Sequence, residues 1–491
     1  MAPEQEKKSK VEYTAQAVSP IVNGEVKLKV SENSFTAAGV LDTAEVPYSN
    51  VNAMEFKDYV VIIRADDGDF VFSRMGSWAQ PFYDALCEAY NNAMLRAFFV
   101  SGGTLFMASG DYRFTEDNKV VNGKTPVRVY GNCVVALPPD GNSRRIPFCF
   151  VNGMDKSDLE VTLRLNLGES YTFSRLGYNT VGFADAVEKQ IRSVHEKAIA
   201  VFKDIDPMLT VSQASQIAKL MSEGAAAPMG QLIEIAPSFA AALQEKMAAA
   251  RSFDTYKAFA EVCDPAQIWI GFKKNDARSE GQKGGAEGAL SMPAGMPKEV
   301  GGLLSSVQNL MGSMTGGATA TPVAEAKENE PERDPYLFWM IAPSPNGQYA
   351  AVEFAVKPGE CAATFIYRTN GDISSSAAYL NRALEAIDFK REVIPMTEEE
   401  IRKPENTDYY MAAKHTSAMQ HIRKNFVGRV IHYSQESWKR DLTEMWSAEA
   451  PPQVQPQPQM QKRFCTACGA EVPQDSKFCG KCGIMALNQR N

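Results

Sequence analysis

The chain has 491 residues, of which 44% are hydrophobic and 22% charged, proportions that support buried cores and exclude a disordered or collagen-like polymer. Fifty-one basic residues against fifty-nine acidic ones give a net charge of −8, the wrong sign for a protein that coats nucleic acid or anionic lipid with its whole surface. At roughly 100–200 residues per domain, this length predicts about three to five folded units joined by linkers.

Residues 1–22 carry lysines with no apolar stretch behind them, so a flexible N-terminal tail is expected and a cleaved secretory signal is not. No run of about 18 uncharged apolar residues occurs downstream, and a soluble, cytoplasmic protein is the expectation.

An internal repeat organises residues 23–205. Val46-Pro47-Tyr48 and Val51-Asn52-Ala53-Met54 answer to Ile146-Pro147-Phe148 and Val151-Asn152-Gly153-Met154, an offset of 100. Phe72-Ser73-Arg74-Met75-Gly76 then answers to Phe173-Ser174-Arg175-Leu176-Gly177 at an offset of 101, which places one inserted residue in the turn between two strands. In each copy a β-hairpin is predicted, Tyr59 to Ile63 with Phe70 to Phe72, and Leu159 to Leu163 with Tyr171 to Phe173. Each hairpin leads into an amphipathic helix, with Phe82, Leu86, Ala89, Ala93 and Ala97 on one stripe in the first copy. Phe183, Val187, Ile191, Val194, Ala198 and Val201 form that stripe in the second. Recurrence of Arg74 and Arg175 at the end of a strand reads as a structural pairing, for example a cap on the following helix.

Short antiparallel strands closed by one C-terminal helix resemble the bacterial pleckstrin-homology-like (PH-like) domains, including the GRAM-type relatives. The resemblance spans residues 23–100 and 101–205 and implies two β-sandwich or barrel modules. Some relatives bind phosphoinositides, but residues 23–100 hold six Lys/Arg against eleven Asp/Glu, so the first copy lacks a basic mouth. In the second copy Arg144 and Arg145, read as a loop before the Ile146 strand, are the candidate anion or lipid contact.

Residues 206–275 are rich in Ala, Met and Gln and predict a small helical element. Residues 276–334 include ten glycines and read as a flexible linker. Within it, positions 300–314 form an amphipathic helix whose Leu303, Leu304, Val307, Leu310 and Met311 make a candidate partner-docking stripe, with folding back on the same chain as the alternative. Residues 335–448 predict a third α+β unit, with strands at Leu337 to Ile341, Gln348 to Val356 and Cys361 to Tyr367, a helix from Ser374 to Phe389, and an all-helical second half from Thr397 to Trp446. In that half His415, His421 and His432 accompany Lys414, Arg423, Lys424 and Arg429, with Tyr409, Tyr410, Phe426 and Tyr433 interleaved. Spacings of six and eleven do not put the three histidines on one helix face, and surface histidines on basic helices are expected. Residues 449–463 are a Pro/Gln spacer.

Four of the nine cysteines fall in the last 27 residues, as Phe464-Cys465-Thr466-Ala467-Cys468-Gly469 and Phe478-Cys479-Gly480-Lys481-Cys482-Gly483. Two residues between cysteines let both sulfurs of a tight turn face one ion, and the glycine relieves strain where the backbone must turn. Cys465, Cys468, Cys479 and Cys482 therefore predict a structural, four-thiolate Zn2+ site over residues 464–484, similar to the short bacterial zinc-ribbon module, with a pair of disulfides as the alternative. About 20 residues cannot bury a core, so zinc must supply most of the folding free energy, on the order of 10 kcal/mol. The other five cysteines are scattered singly, a pattern of buried thiols in a reducing compartment.

No phosphate-binding glycine loop, HExxH or Gly-x-Ser-x-Gly elbow occurs. The expected function is a non-enzymatic scaffold or adaptor for other proteins. A nucleic-acid-associated zinc-ribbon factor and a peripheral membrane adaptor are the alternatives.

Overall fold

The computed structural model describes residues 12–250, 252–274, 336–354, 363–432 and 434–447, together with the strand pairs at 463–464 and 471–472. The chain divides at Leu442 and Thr443 into two compact units. The fold is α+β, with several antiparallel sheets and helices packed on them.

The first sheet has seven strands: β1 (Glu12–Val18), β2 (Gly24–Val30), β3 (Ser34–Ala38), β4 (Thr43–Pro47), β5 (Val51–Lys57), β6 (Val60–Ala65) and β7 (Gly68–Ser73), in the order β4-β3-β2-β1-β7-β6-β5. Helix α1 (Ala79–Ala97) follows and buries Phe82, Leu86, Tyr90, Ala93, Met94 and Ala97. The second sheet repeats the plan: β8 (Phe106–Glu116), β9 (Lys119–Val129), β10 (Cys133–Ala136), β11 (Arg144–Pro147), β12 (Val151–Lys156), β13 (Glu160–Leu165) and β14 (Ser170–Ser174), ordered β11-β10-β9-β8-β14-β13-β12. Val61 pairs with Phe72 in the first copy and Val161 with Phe173 in the second, so the extra residue lies in the hairpin turn.

Within the span expected to be a flexible tail, residues 12–18 instead form a strand, because Tyr13, Ala15 and Ala17 alternate inward along β1, which pairs with both β2 and β7. With only two alanines and one tyrosine facing inward, the period-two signal among polar neighbours is faint. Residues 206–275 are not wholly helical either: β15 (Ala227–Pro228) and β16 (Trp269–Lys274) join β17 (Tyr336–Pro343), β18 (Tyr349–Phe354), β19 (Ala363–Arg368) and β20 (Phe426–Ile431) in one six-stranded sheet. Strand β20 also interrupts the stretch expected to be all helix after Thr397. The β16–β17 register runs from Trp269 opposite Ile341 to Lys274 opposite Tyr336, joining segments on either side of residues 275–335.

The second helix, α2 (Asn179–Ile205), has 27 residues against 19 in α1. The additional length spans roughly 12 Å at 1.5 Å per residue. It carries Phe202 to Phe239 and Phe272, with ring centroids 5.7 and 6.0 Å apart, and so ties the second copy to the third sheet.

The two copies pack on each other. Strand β10 is buried along its whole length: Cys133 and Val135 enter the core of the first copy, and Val134 and Ala136 enter that of the second. Successive strand side chains point to opposite faces, so an uninterrupted apolar strand is what a shared wall between two cores requires. The adjoining loop lies against β5, where Met54 N–H donates to the Pro139 carbonyl at 2.7 Å. Gly141, with φ of +79°, sits so close to the Asn52 carbonyl oxygen that no Cβ fits.

Candidate functional site

Arg144 and Arg145 begin strand β11 rather than lying in a loop, and both are consumed by the interior. Arg144 Nε lies 2.9 and 3.0 Å from the two carboxylate oxygens of Glu116, which also accepts from the Tyr171 hydroxyl at 2.6 Å. Arg145 Nη1 reaches Glu385 Oε2 at 2.6 Å, on the helix Ile373–Ala386, with both side chains about one-tenth exposed. From the same helix Arg382 pairs with Glu169 at 3.2 Å and lies over the Phe150 ring, while Asn381 exchanges two hydrogen bonds with the Ala226 backbone. These cations already hold carboxylates where water is scarce, so they are a clasp rather than a headgroup site. Sequence reading missed Glu116, Glu169, Arg382 and Glu385; the available signal was Asn381, Arg382 and Glu385 embedded in an apolar helix stripe.

The histidines do not converge. His415 is buried against Phe98, Arg144, Lys414 and the backbone of Ser143, and burial lowers its pKa to about 3, so it is neutral and not a surface group. His421 stacks on Tyr379 with centroids 3.9 Å apart. His432 follows β20, where its Nε2 lies 3.1 Å from Glu353 Oε2 and 2.8 Å from Thr364 Oγ1. Among the described residues no cluster of three or more His, Cys, Asp or Glu side chains suits a metal.

Arg74 and Arg175 share a backbone role, with φ of 59° and 53°, followed in each copy by Gly76 and Gly177 at 55° and 60°. The repeated Ser-Arg-x-Gly is thus a left-handed link from sheet to helix, and the helices receive no side-chain cap. Arg175 additionally pairs with Asp111 at 3.0 Å.

A cleft of about 580 Å³ opens between the second copy and the helix Val211–Met221. Phe148, Cys149, Phe150, Ile191 and Val194 give it apolar walls, and Arg192, His195 and Lys219 edge it. Burial pushes the Cys149 thiol well up and the Cys87 thiol to about 11, which keeps both protonated and poorly nucleophilic near neutral pH.

In the C-terminal unit, Arg463–Phe464 pairs antiparallel with Glu471–Val472, Arg463 opposite Val472 and Phe464 opposite Glu471. The segment between these short strands contains the first Cys-x-x-Cys-Gly, so a hairpin brackets the first cysteine pair. Residues 464–485 match the zinc-ribbon domain. The zinc ribbon's Cys465, Cys468, Cys479 and Cys482 lie outside the described residues, as do positions 300–314 with Leu303, Leu304, Val307, Leu310 and Met311. Its donor chemistry fits the metal: four soft thiolates would fill a tetrahedral shell and leave no position for water or substrate. No curated protein matches the chain.

Proposed function

We propose that the protein is a non-enzymatic, cytoplasmic adaptor, built from two PH-like modules, a third α+β layer and a zinc ribbon that holds structural Zn2+, and that its partners are other proteins. The observation that carries this reading is the zinc-ribbon match at residues 464–485, beyond the Pro/Gln stretch of 449–463. A closed thiolate site stabilises a small surface and has no reactive position.

Further support comes from the identical strand order of the two seven-stranded sheets, each followed by a helix, which suits the PH-like reading. Free Cys87, Cys133, Cys149 and Cys263 suit a reducing compartment. No helix among the described residues is long and apolar enough to cross a membrane. The membrane-adaptor alternative, which joins the second copy to the helix expected at positions 300–314, is weakened at the second copy, since Arg144 and Arg145 are paired inside.

The test is affinity capture from the native host with the full chain beside a Cys465→Ser/Cys468→Ser variant, with bound proteins, lipids and nucleic acid all identified. Proteins retained by the first and lost from the second are expected. Recovery of RNA or DNA in a salt-sensitive manner, in place of proteins, would overturn the adaptor reading in favour of a nucleic-acid factor.

A further inference from the structure

A second cleft, of about 460 Å³, lies among the helices Glu398–Ile401, Thr407–Lys414 and Ser417–Asn425. Its floor is apolar: Ile394, Ile401 and Ala413 are buried, with Pro395, Met396 and Phe426 beside them. Three cations line it, Lys414, Arg423 and Lys424, against one carboxylate, Glu398. In a chain of net charge −8, this is a local reversal of sign.

The three cations are not equally committed. Arg423 donates to the Val393 and Ile394 carbonyls at 2.9 and 3.2 Å and to Glu398 at 2.8 Å. Lys414 donates to the Ser49 carbonyl at 3.1 Å and lies 3.6 Å from Asp66. Lys424 is exposed and has neither a hydrogen bond nor an ion pair among the described residues. The fold thus fixes two positive groups in the wall and leaves one ammonium at the mouth uncompensated.

We propose that this cleft docks a short peptide segment of a partner protein, an apolar side chain on the floor with an adjacent Asp or Glu carboxylate meeting Lys424. The proposal rests on the adaptor reading and deepens it by giving the partner's chemistry. Charge complementarity selects the occupant. A nucleic-acid strand needs a row of uncommitted cations, whereas among the described residues lining this cleft only one is free. A peptide needs one apolar anchor in a desolvated pocket and a polar rim that sets register.

The experiment is a display selection of random dodecapeptides on the full-length chain, counter-selected on full-length Lys424→Glu, whose exposed position leaves the core untouched. Enriched peptides are expected to place Asp or Glu beside a large apolar residue. Their Kd should rise about tenfold on the variant, as for a lost charge-assisted contact, and changing that acid to Lys should restore binding to Lys424→Glu. Enrichment that is equal on both chains, peptides without acidic residues, or a short mixed-sequence RNA that binds more tightly and is lost in the variant would each overturn the proposal. Host proteins captured equally by wild type and Lys424→Glu would sink the cleft alone; capture of no protein by either would sink the adaptor reading as well.

Discussion

Replacing Glu385 by Leu strands a buried cation, and the structure sets the size of the penalty. Arg145 and Glu385 are 2.6 Å apart, with side-chain exposures of 9% and 10%, so neither is solvated without the other. Arg145 Nε has no hydrogen-bond partner among the described residues, and the ion pair with Glu385 is what offsets the guanidinium charge. Two unit charges about 4 Å apart at an effective dielectric of about 20 attract by about 4 kcal/mol. Removal of one member of a buried pair typically costs about 3–5 kcal/mol. Glu385→Leu and Arg145→Met should each lose about that much, and the double substitution should return to within about 1 kcal/mol of wild type, because an apolar pair avoids desolvating either charge. Urea denaturation of the four chains, with amide exchange followed at β11 and the Ile373–Ala386 helix, measures the cycle. Single substitutions within about 0.5 kcal/mol of wild type that simply add in the double would refute the clasp.

Other expectations concern pH, backbone and metal. Because folding lowers the His415 pKa from 6.5 to about 3, the unfolded chain binds the extra proton: the stability from neutral His415 is complete above pH 6.5 and is lost as pH falls towards 3. That amounts to about 2 kcal/mol by pH 5, and His415→Leu should flatten the slope of unfolding free energy between pH 7 and 5; an unchanged slope would rule out His415 as its source. Gly141→Ala should destabilise well beyond the roughly 1 kcal/mol of a left-handed alanine, since its Cβ meets Asn52, while Gly168→Ala, at φ of +85° with open space, should cost only about that. Equal melting shifts for the two would contradict the close packing of the copies. Metal analysis should find about one zinc per chain, lost in Cys465→Ser/Cys468→Ser, with faster amide exchange confined to residues 464–485; two disulfides in mass spectra of the alkylated protein would contradict the thiolate site.

What could be read from the residues was what repeats or acts locally. The duplication, the residue inserted in the second hairpin turn and the apolar stripes of α1 and α2 follow from spacing, because side-chain direction has a period of two in strands and 3.6 in helices. The paired cysteines of the zinc-ribbon match were legible for the same reason, since metal chemistry demands a short fixed interval. Polar residues interleaved with small ones hid β1, and no local pattern showed that β16 pairs with β17 across residues 275–335.

The docking of one copy on the other was likewise settled by tertiary contacts. The uninterrupted apolar run of β10 states that both faces are buried, without saying which core receives each. Arg145 and Glu385 are 240 positions apart, and their types are those of solvated surface charges until the fold encloses them. Sequence by itself thus determined the duplication and the zinc-ribbon motif, through periodicity and spacing. Only the tertiary structure decided which charges are buried together and which cations of the cleft wall are already paired, because desolvation depends on everything packed around a group and not on its neighbours along the chain.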